Sequence, residues 1–540
     1  MGRSYFTPLS LISAFLFLIS FAAANSKPLV LNEFFQCLSS HSQSSIPITN
    51  SLYTKTNSSY STILESTIDN LRCYSPTTIK PLLIITPMEE SHIQAAIYCS
   101  KTYGLQLRVR SGGHDYEGLS FVADSPFLML DMTHFRQIDV NIEENSAWVQ
   151  AGAILGELYY KIAEKSKIHG FSAGLCPTIG VGGHFSGGGF GPMVRKYGVA
   201  ADHIVDVRMI NSKGRILTRA SMGENLFWAI RGGGGASFGV IIAYKINLVP
   251  VPPTVSVFSV SKTLEQGASK VLYRYQEVVD KFPEDLFIRV SILPTTNQSG
   301  NKTMLVAFNS LFLGSAKDHL SLIQTSFPEL GVQSKDCKEM SWIQSVLFFA
   351  GYTNGESIDT LLDRTPQFKG YFKAKSDFVK APIPESGLEG LWKILLEGDN
   401  SLMFFLPFGG KMNEIPESAI PFPHRKGNIY NIQYVARWTE QENPQAEKHI
   451  AWIRNLYDYM APYVSKNPRA SYLNYRDLDL GQNGNTKTNY SQALIWGSKY
   501  FKNNFYQLVR VKTRVDPGNF FRNEQSIPPF KMEVEDFLVN

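Results

Sequence analysis

No block of lysine or arginine stands out in the sequence, and a net charge of +5 is small for 540 residues. Nucleic-acid binding is therefore not suggested. Beyond the first 26 residues no apolar run approaches the length that crosses a bilayer. No Gly-Lys-Ser/Thr follows any glycine-rich stretch, which excludes a Walker phosphate loop, and no GxGxxG opens a simple βαβ unit. His184 has no second ligand-type residue at metal spacing beside it, and no zinc site is expected. There is no Ser-His-Asp set and no internal repeat. Cysteine is scarce: Cys37, Cys73, Cys99, Cys176 and Cys337 leave one unpaired however the others join.

The chain does hold enough apolar side chain for a large fold. Hydrophobic residues make up 44% and charged residues 18%, a globular balance, and the length favours two domains over one core. Residues 1–26 place Arg3 before the apolar run Leu9–Ala22 and then small residues, the layout of a secretory signal with the mature chain beginning near Asn25. Asn57, Asn297, Asn301 and Asn489 stand in Asn-x-Ser/Thr sequons and become glycosylation sites if exposed in that route. An extracellular, apoplastic or vacuolar destination follows from the signal.

Residues 174–191 read GLCPTIGVGGHFSGGGFG, with eight glycines around one cysteine. So few side chains cannot fill a core, whereas bare backbone N–H groups can approach a ligand closely. A flexible surface linker is the plain alternative, but linkers carry Ser, Pro and charge rather than Ile, Val, His and Phe between glycines. Residues 107–118, LRVRSGGHDYEG, form a second such stretch, a short strand feeding a turn. Ser111, Gly112 and Gly113 suit a pyrophosphate, and His114 follows at once. Taken singly, His114 fits a hydrogen-bonded loop residue equally well.

The strings RSGGHDYEG, GLCPTIGVGGHFSGGGFG and RKYGVAADHIVD together resemble the berberine-bridge-enzyme-like plant flavoproteins of the vanillyl-alcohol-oxidase superfamily, over roughly Leu31 to Pro529. The resemblance implies an α+β, two-domain protein: a PCMH-type FAD-binding fold plus a substrate domain with an antiparallel sheet backed by helices. It implies one FAD held by two bonds, His114 to the 8α carbon and Cys176 to C6. Ser111, Gly112, Gly113, Gly174, Thr178, Gly182, Gly183 and Asn474 are the expected cofactor contacts. The resemblance also pairs Cys37 with Cys99, leaving Cys73 and Cys337 as buried free thiols. It implies a small-molecule substrate, and the chain is expected to act as a monomer.

Along the chain, strands are expected at Pro81–Pro87, Leu105–Val109, Phe127–Asp131, Trp148–Ala151, Ala201–Asn211 and Phe238–Leu248, with helices at Leu31–Ser39, Glu89–Tyr103 and Leu155–Lys165. The run Pro250-Val-Pro-Pro253 breaks the pattern. The FAD domain is therefore placed at 27–250 with a return over 472–540, and the substrate domain at 251–471. Within the latter, strands are expected at Ser256–Ser261, Phe287–Leu293, Met304–Phe312, Phe404–Phe408 and Ile429–Trp438. Helices are expected at Leu264–Asp280, Ala316–Thr325 and Glu440–Tyr463. Gly232–Gly235 reads as a helix stop, and the resemblance places it near the flavin. Helices at Tyr490–Lys502 and Asn504–Val515 close the chain.

Oxidation by hydride loss needs a base for the accompanying proton. Tyr116, Tyr475 and Gln433 are the candidates the resemblance brings to the ring. A tyrosine serves only if donors or a cation stabilise its phenolate. Phe190 and Asn431 stand where relatives often carry ionisable residues, which thins that set. This leaves open a second reading, a flavin-containing cyclisation or cycloaddition catalyst with no net redox change. Arg289 and Arg437 could hold a phenolic or carbonyl group in either case, or be solvated strand arginines. A storage or allergen-like flavoprotein is a third possibility. Ile179 stands where the family gates oxygen, and its bulk over valine implies slow reoxidation. His184 and His424 read as packing or loop-anchoring residues.

Overall fold

The computed structural model describes residues 31–530 apart from Asp399 and 485–488. The expected signal lies outside the described residues. Strands β1 (Leu52–Thr54), β2 (Leu83–Ile85), β3 (Gln106–Arg110) and β4 (Phe127–Asp131) form the first sheet, ordered β1-β2-β4-β3. Both β2 and β3 run parallel to β4. All five residues of β4, FLMLD, are buried, as expected for a central parallel strand covered on both faces. Helix α1 (Leu31–His41) lies against α2 (Glu90–Thr102), and the Cys37–Cys99 disulfide joins them. Among the described residues one His/Cys/carboxylate group is close enough to hold a metal, Cys37, His41 and Cys99, and its two thiols are joined in that disulfide. The connection from β3 to β4, residues 111–126, carries His114 over the sheet end without a helix of its own.

The second sheet is antiparallel: β5 (Ile138–Asn141), β6 (Ser146–Gln150), β7 (Ile204–Asn211), β8 (Ile216–Leu217) and β9 (Gly239–Asn247), in the order β5-β6-β9-β7-β8. Helix α3 (Leu155–Lys165) leads into the Cys176 run. That run is not all loop: Val181–Ser186 forms a short helix, α4.

Seven antiparallel strands make the third sheet. They are β10 (Val255–Thr263), β11 (Leu286–Thr296), β12 (Lys302–Phe312), β13 (Lys338–Met340), β14 (Tyr371–Val379), β15 (Ser401–Pro407) and β16 (Tyr430–Trp438), ordered β13-β10-β12-β11-β15-β16-β14. Its helices include α5 (Ala268–Val278), α6 (Ala316–Ser326), α7 (Trp342–Phe349), α8 (Glu385–Glu397) and α9 (Ala446–Met460). The sequence reading placed nothing at β14, α7 or α8. The helix expected over Glu440–Tyr463 is shortened to α9, flanked by 3₁₀ turns at Asn443–Gln445 and Ala461–Tyr463. Pro444 and Pro462 sit inside those turns and lack the N–H an α-helix needs. Cys73 is buried, but Cys337 is only half-buried: it follows the 3₁₀ turn Ser334–Asp336 and immediately precedes the edge strand β13, whose one neighbour is β10. Helices α10 (Tyr490–Phe501) and α11 (Asn504–Val515) follow the segment that returns to the first two sheets.

Candidate active site

The two glycine-rich runs meet back to back. A Cβ on Gly112 would lie 2.3 Å from the Gly180 nitrogen, and one on Gly180 would lie 2.2 Å from the Gly112 nitrogen. Only glycine at both positions permits this approach. The Ala151 carbonyl accepts from Ser111 Oγ (2.5 Å) and from the Gly182 N–H (3.1 Å), tying both runs to one atom. His114 and Cys176, 62 positions apart in the chain, thereby face one cavity of about 530 Å³. That size suits an organic ligand.

The flavin-side wall of this cavity, as the sequence reading would have it, comprises Ser111, Gly112, Gly113, His114, Gly174, Cys176, Thr178, Ile179, Gly182, Gly183 and Asn474, all of which line it. Asn474 Nδ2 donates to the His184 carbonyl (2.9 Å) and to Tyr472 Oη (2.7 Å). His184 is a packing residue: its Nε2 accepts from the Gly174 N–H at 2.9 Å, and burial lowers its pKa to about 3. His424 is buried and stacks on Phe378 at 4.0 Å. Gly233 and Gly234 line the cavity just beyond the helix that ends at Ala229, so that run both follows a helix end and faces the site.

The third sheet supplies the opposite wall. Gln433, Val435 and Arg437 alternate along β16 toward the cavity, as do Leu402, Phe404 and Leu406 on β15, and Arg289 joins them from β11. Tyr116 and Tyr475 stack across the seam with ring centroids 5.6 Å apart and planes 3° from parallel. Gln433 Nε2 donates to Tyr116 Oη at 2.6 Å. Burial raises the Tyr116 phenol well above its ordinary value, reinforced by Tyr475 and opposed by the Gln433 bond. Burial also raises the Tyr475 phenol, and here Arg289 is the main opposing influence. The Cys176 thiol is pushed up to about 11 by burial, again against Arg289.

Arg289 has its guanidinium 4.4 Å over the Phe404 ring, and its Nε is buried without a hydrogen-bond partner. Arg437 donates to the Phe368 carbonyl at 2.9 Å. Both are half-buried and line the cavity, and the bond from Arg437 to Phe368 is at the surface. Phe190 lines the cavity and packs on Tyr472 at 4.5 Å. Asn431 is fully buried, with Nδ2 donating to the Asp377 carbonyl. Sequence reasoning missed Asp69, whose Oδ2 lies 3.8 Å from His114 Nδ1, and the cavity face of β14 at Phe372. Neither position belongs to a recognisable motif.

The residues present fit a flavin dinucleotide. His114 Nε2 is buried with no partner, and burial lowers its pKa, holding the imidazole neutral. Cys176 is a free thiol in the same cavity. A Cβ on Gly183 would meet no atom within 4 Å, so a side chain there would take cavity space.

Comparison with known proteins agrees. Residues 81–219 match an FAD binding domain, and residues 471–528 match the family described as berberine and berberine like. A tetrahydroberberine oxidase of Berberis wilsoniae is 56% identical over 98% of this chain and 99% of its own length. The monolignol oxidoreductase AtBBE-like 13 of Arabidopsis thaliana is 52% identical over 92% of this chain and 94% of its own. Among solved structures, wild-type Phl p 4.0202, a glucose dehydrogenase, is 44% identical with a TM-score of 0.87, covering 93% of this chain and all of the other. An isoleucine-to-valine variant of Phl p 4 is a glucose oxidase. The protein is an FAD-dependent oxidoreductase with a PCMH-type FAD-binding fold. It belongs to the berberine bridge enzyme-like family.

Proposed function

We propose that the protein oxidises an aromatic plant specialised metabolite, with the substrate bound between the Tyr116–Tyr475 stack and the cavity face of the third sheet. The observation that carries this reading is Arg289, packed 4.4 Å over Phe404 with its Nε buried and partnerless, in the cavity that the two stacked tyrosines and Cys176 also line. FAD, when bound, supplies the acceptor for a hydride. His114 and Cys176 are the two residues that would hold it covalently, and the glycine backbone at 112, 113, 182 and 183 would approach it most closely. Tyr475 takes the substrate proton, since Arg289 is placed to stabilise its phenolate. Gln433 fixes Tyr116, which packs the substrate side. Arg289 and Arg437 offer guanidinium donors to a phenolic or carbonyl oxygen, and Phe349, Phe368 and Phe404 favour an aromatic body. No feature of the cavity favours cyclisation without redox change over oxidation.

The chain divides functionally into residues 27–250 with 472–540 for the cofactor and 251–471 for the substrate. The cavity is complete within one chain, in keeping with a monomer. No helix among the described residues is long and apolar enough to cross a membrane. A disulfide calls for an oxidising compartment, and we assign the protein to the secretory route, in the apoplast or vacuole. Asn57, Asn301 and Asn489 are exposed, as glycosylation requires. The Asn297 amide instead donates to Glu265 Oε1 at 3.0 Å.

Anaerobic addition of coniferyl alcohol, a monolignol, or of tetrahydroberberine tests the reading. Bleaching of the flavin band supports oxidation, whereas product formed over an unbleached flavin overturns it. A second expectation concerns Ile179. Its carbonyl accepts from the Leu155 N–H at 2.9 Å and its N–H donates to the Cys176 carbonyl at 3.3 Å, which fixes where the side chain points. Ile179→Val opens space beside Cys176 and is expected to speed reoxidation of the reduced protein by dioxygen. Rapid mixing with air-saturated buffer checks this, and an unchanged rate counts against the gate.

A further inference from the structure

Seven charged side chains alternate in sign around the edge of the third sheet, outside the cavity. Arg72 Nη2 meets Glu117 Oε2 at 2.6 Å. Lys373 Nζ bridges Glu117 and Asp477, the latter at 2.7 Å. Lys375 Nζ bridges Asp477 at 2.6 Å and Asp479 at 2.9 Å. Arg454, from α9, closes the series on Asp479 at 2.7 Å. The four central groups, Glu117, Lys373, Lys375 and Asp477, are buried. Lysines 373 and 375 project from β14, the edge strand, on the face opposite Phe372 and Ala374, which pack toward Tyr116.

A buried ionic array of this kind adds little net stability, because desolvation offsets the attraction, and apolar side chains would serve as well. What it does supply is a fixed relation between segments remote in sequence. Glu117 follows Tyr116 directly, and Asp477 stands two residues after Tyr475. A second bridge, Arg476 Nε to Asp115 Oδ2 at 3.0 Å, joins the residue after Tyr475 to the residue before Tyr116. The Tyr116 carbonyl is also gripped by Asn70 Nδ2 (2.8 Å) and Arg72 Nη2 (3.3 Å), and both side chains donate to the Phe372 carbonyl of β14 as well. Each tyrosine is thus flanked in the chain by charges that lock it to the other and to the sheet edge.

We propose that this alternating array is a positioning device: it holds the segments bearing Tyr116 and Tyr475 against β14 so that their rings stay parallel over the substrate. Lys373, Glu117 and Asp477 are its positioning residues, and none of the three lines the cavity. The proposal rests on the reading that the tyrosine pair serves the oxidation.

Replacing Lys373→Met in the flavin-loaded protein is expected to lower kcat for coniferyl alcohol about 100-fold, the scale of a misplacement near 1 Å. KM and flavin content should change little, whereas a general loss of fold would move all three. A crystal structure of the variant should show the 5.6 Å ring stack opened or tilted. An unchanged stack and an unchanged kcat in folded Lys373→Met would overturn the proposal. Should that variant fail to fold, the charge-balanced pair Lys373→Met with Glu117→Gln is measured in the same way. Arg72→Met decides if neither folds. It removes the outer member of the array, which bonds Glu117 and the Tyr116 carbonyl, so an undisturbed stack and rate in it also overturn the device. Failure of the underlying reading looks different, since Tyr475→Phe would then leave kcat intact.

Discussion

Tyr475→Phe is expected to slow reduction of the flavin by substrate about 10²–10⁴-fold, the range of a lost general base, while the purified protein keeps its yellow colour. The choice of Tyr475 over Tyr116 rests on what surrounds each phenol. Both are raised by burial, so neither ionises readily without support. The main opposing influence at Tyr475 is the Arg289 cation, whereas Tyr116 has only the Gln433 amide. A cation stabilises a phenolate more than a neutral donor does. Because the working form is the phenolate, reduction should accelerate as pH rises, with no acidic optimum. Arg289→Met removes the stabilising charge and should move that limb to still higher pH. Anaerobic rapid mixing across a pH series measures both effects. A Tyr475→Phe variant reduced at the native rate would exclude the tyrosine as base, and an unmoved limb in Arg289→Met would exclude the arginine as its support.

The cofactor half of this site was legible in the sequence because its chemistry is written in backbone. Gly112 and Gly180 must be glycine for two loops to touch, and that demand leaves a dense glycine signature around His114 and Cys176. Strand β4 was legible for a related reason: a strand covered on both faces is apolar throughout. Strand β14 was not. Its residues YFKAKSDFV alternate apolar and charged like a solvated edge, yet Lys373, Lys375 and Asp377 are all buried. Their partners, Glu117, Asp477 and Arg469, lie 92 or more positions away, so nothing local marks them. Arg289 and Arg437 fell between these cases. Their strands could be placed, but which face met the cavity depends on register across β11, β15 and β16, and one residue of slip would have reversed it.

Replacing both proposed tethers, His114→Ala with Cys176→Ala, is expected to yield protein whose flavin passes wholly into the supernatant on acid precipitation, whereas the native pellet stays yellow. Each single variant should retain the colour, because one remaining bond suffices against denaturation. The two residues approach from different sheets. His114 comes from the crossover above β3 and β4, and Cys176 from the run between α3 and α4. Loss of one therefore leaves the other loop in place, held through Ala151 and the Gly112–Gly180 contact, which neither substitution touches. The singles also separate attachment from folding, since a collapsed cavity would lose flavin in both. Oxidising power gives a second measure. Each proposed bond would withdraw electron density from the ring, so each single variant should show a lower flavin reduction potential than the native protein. A colourless native pellet, or singles that lose their flavin as completely as the double, would show that His114 and Cys176 only line the cavity.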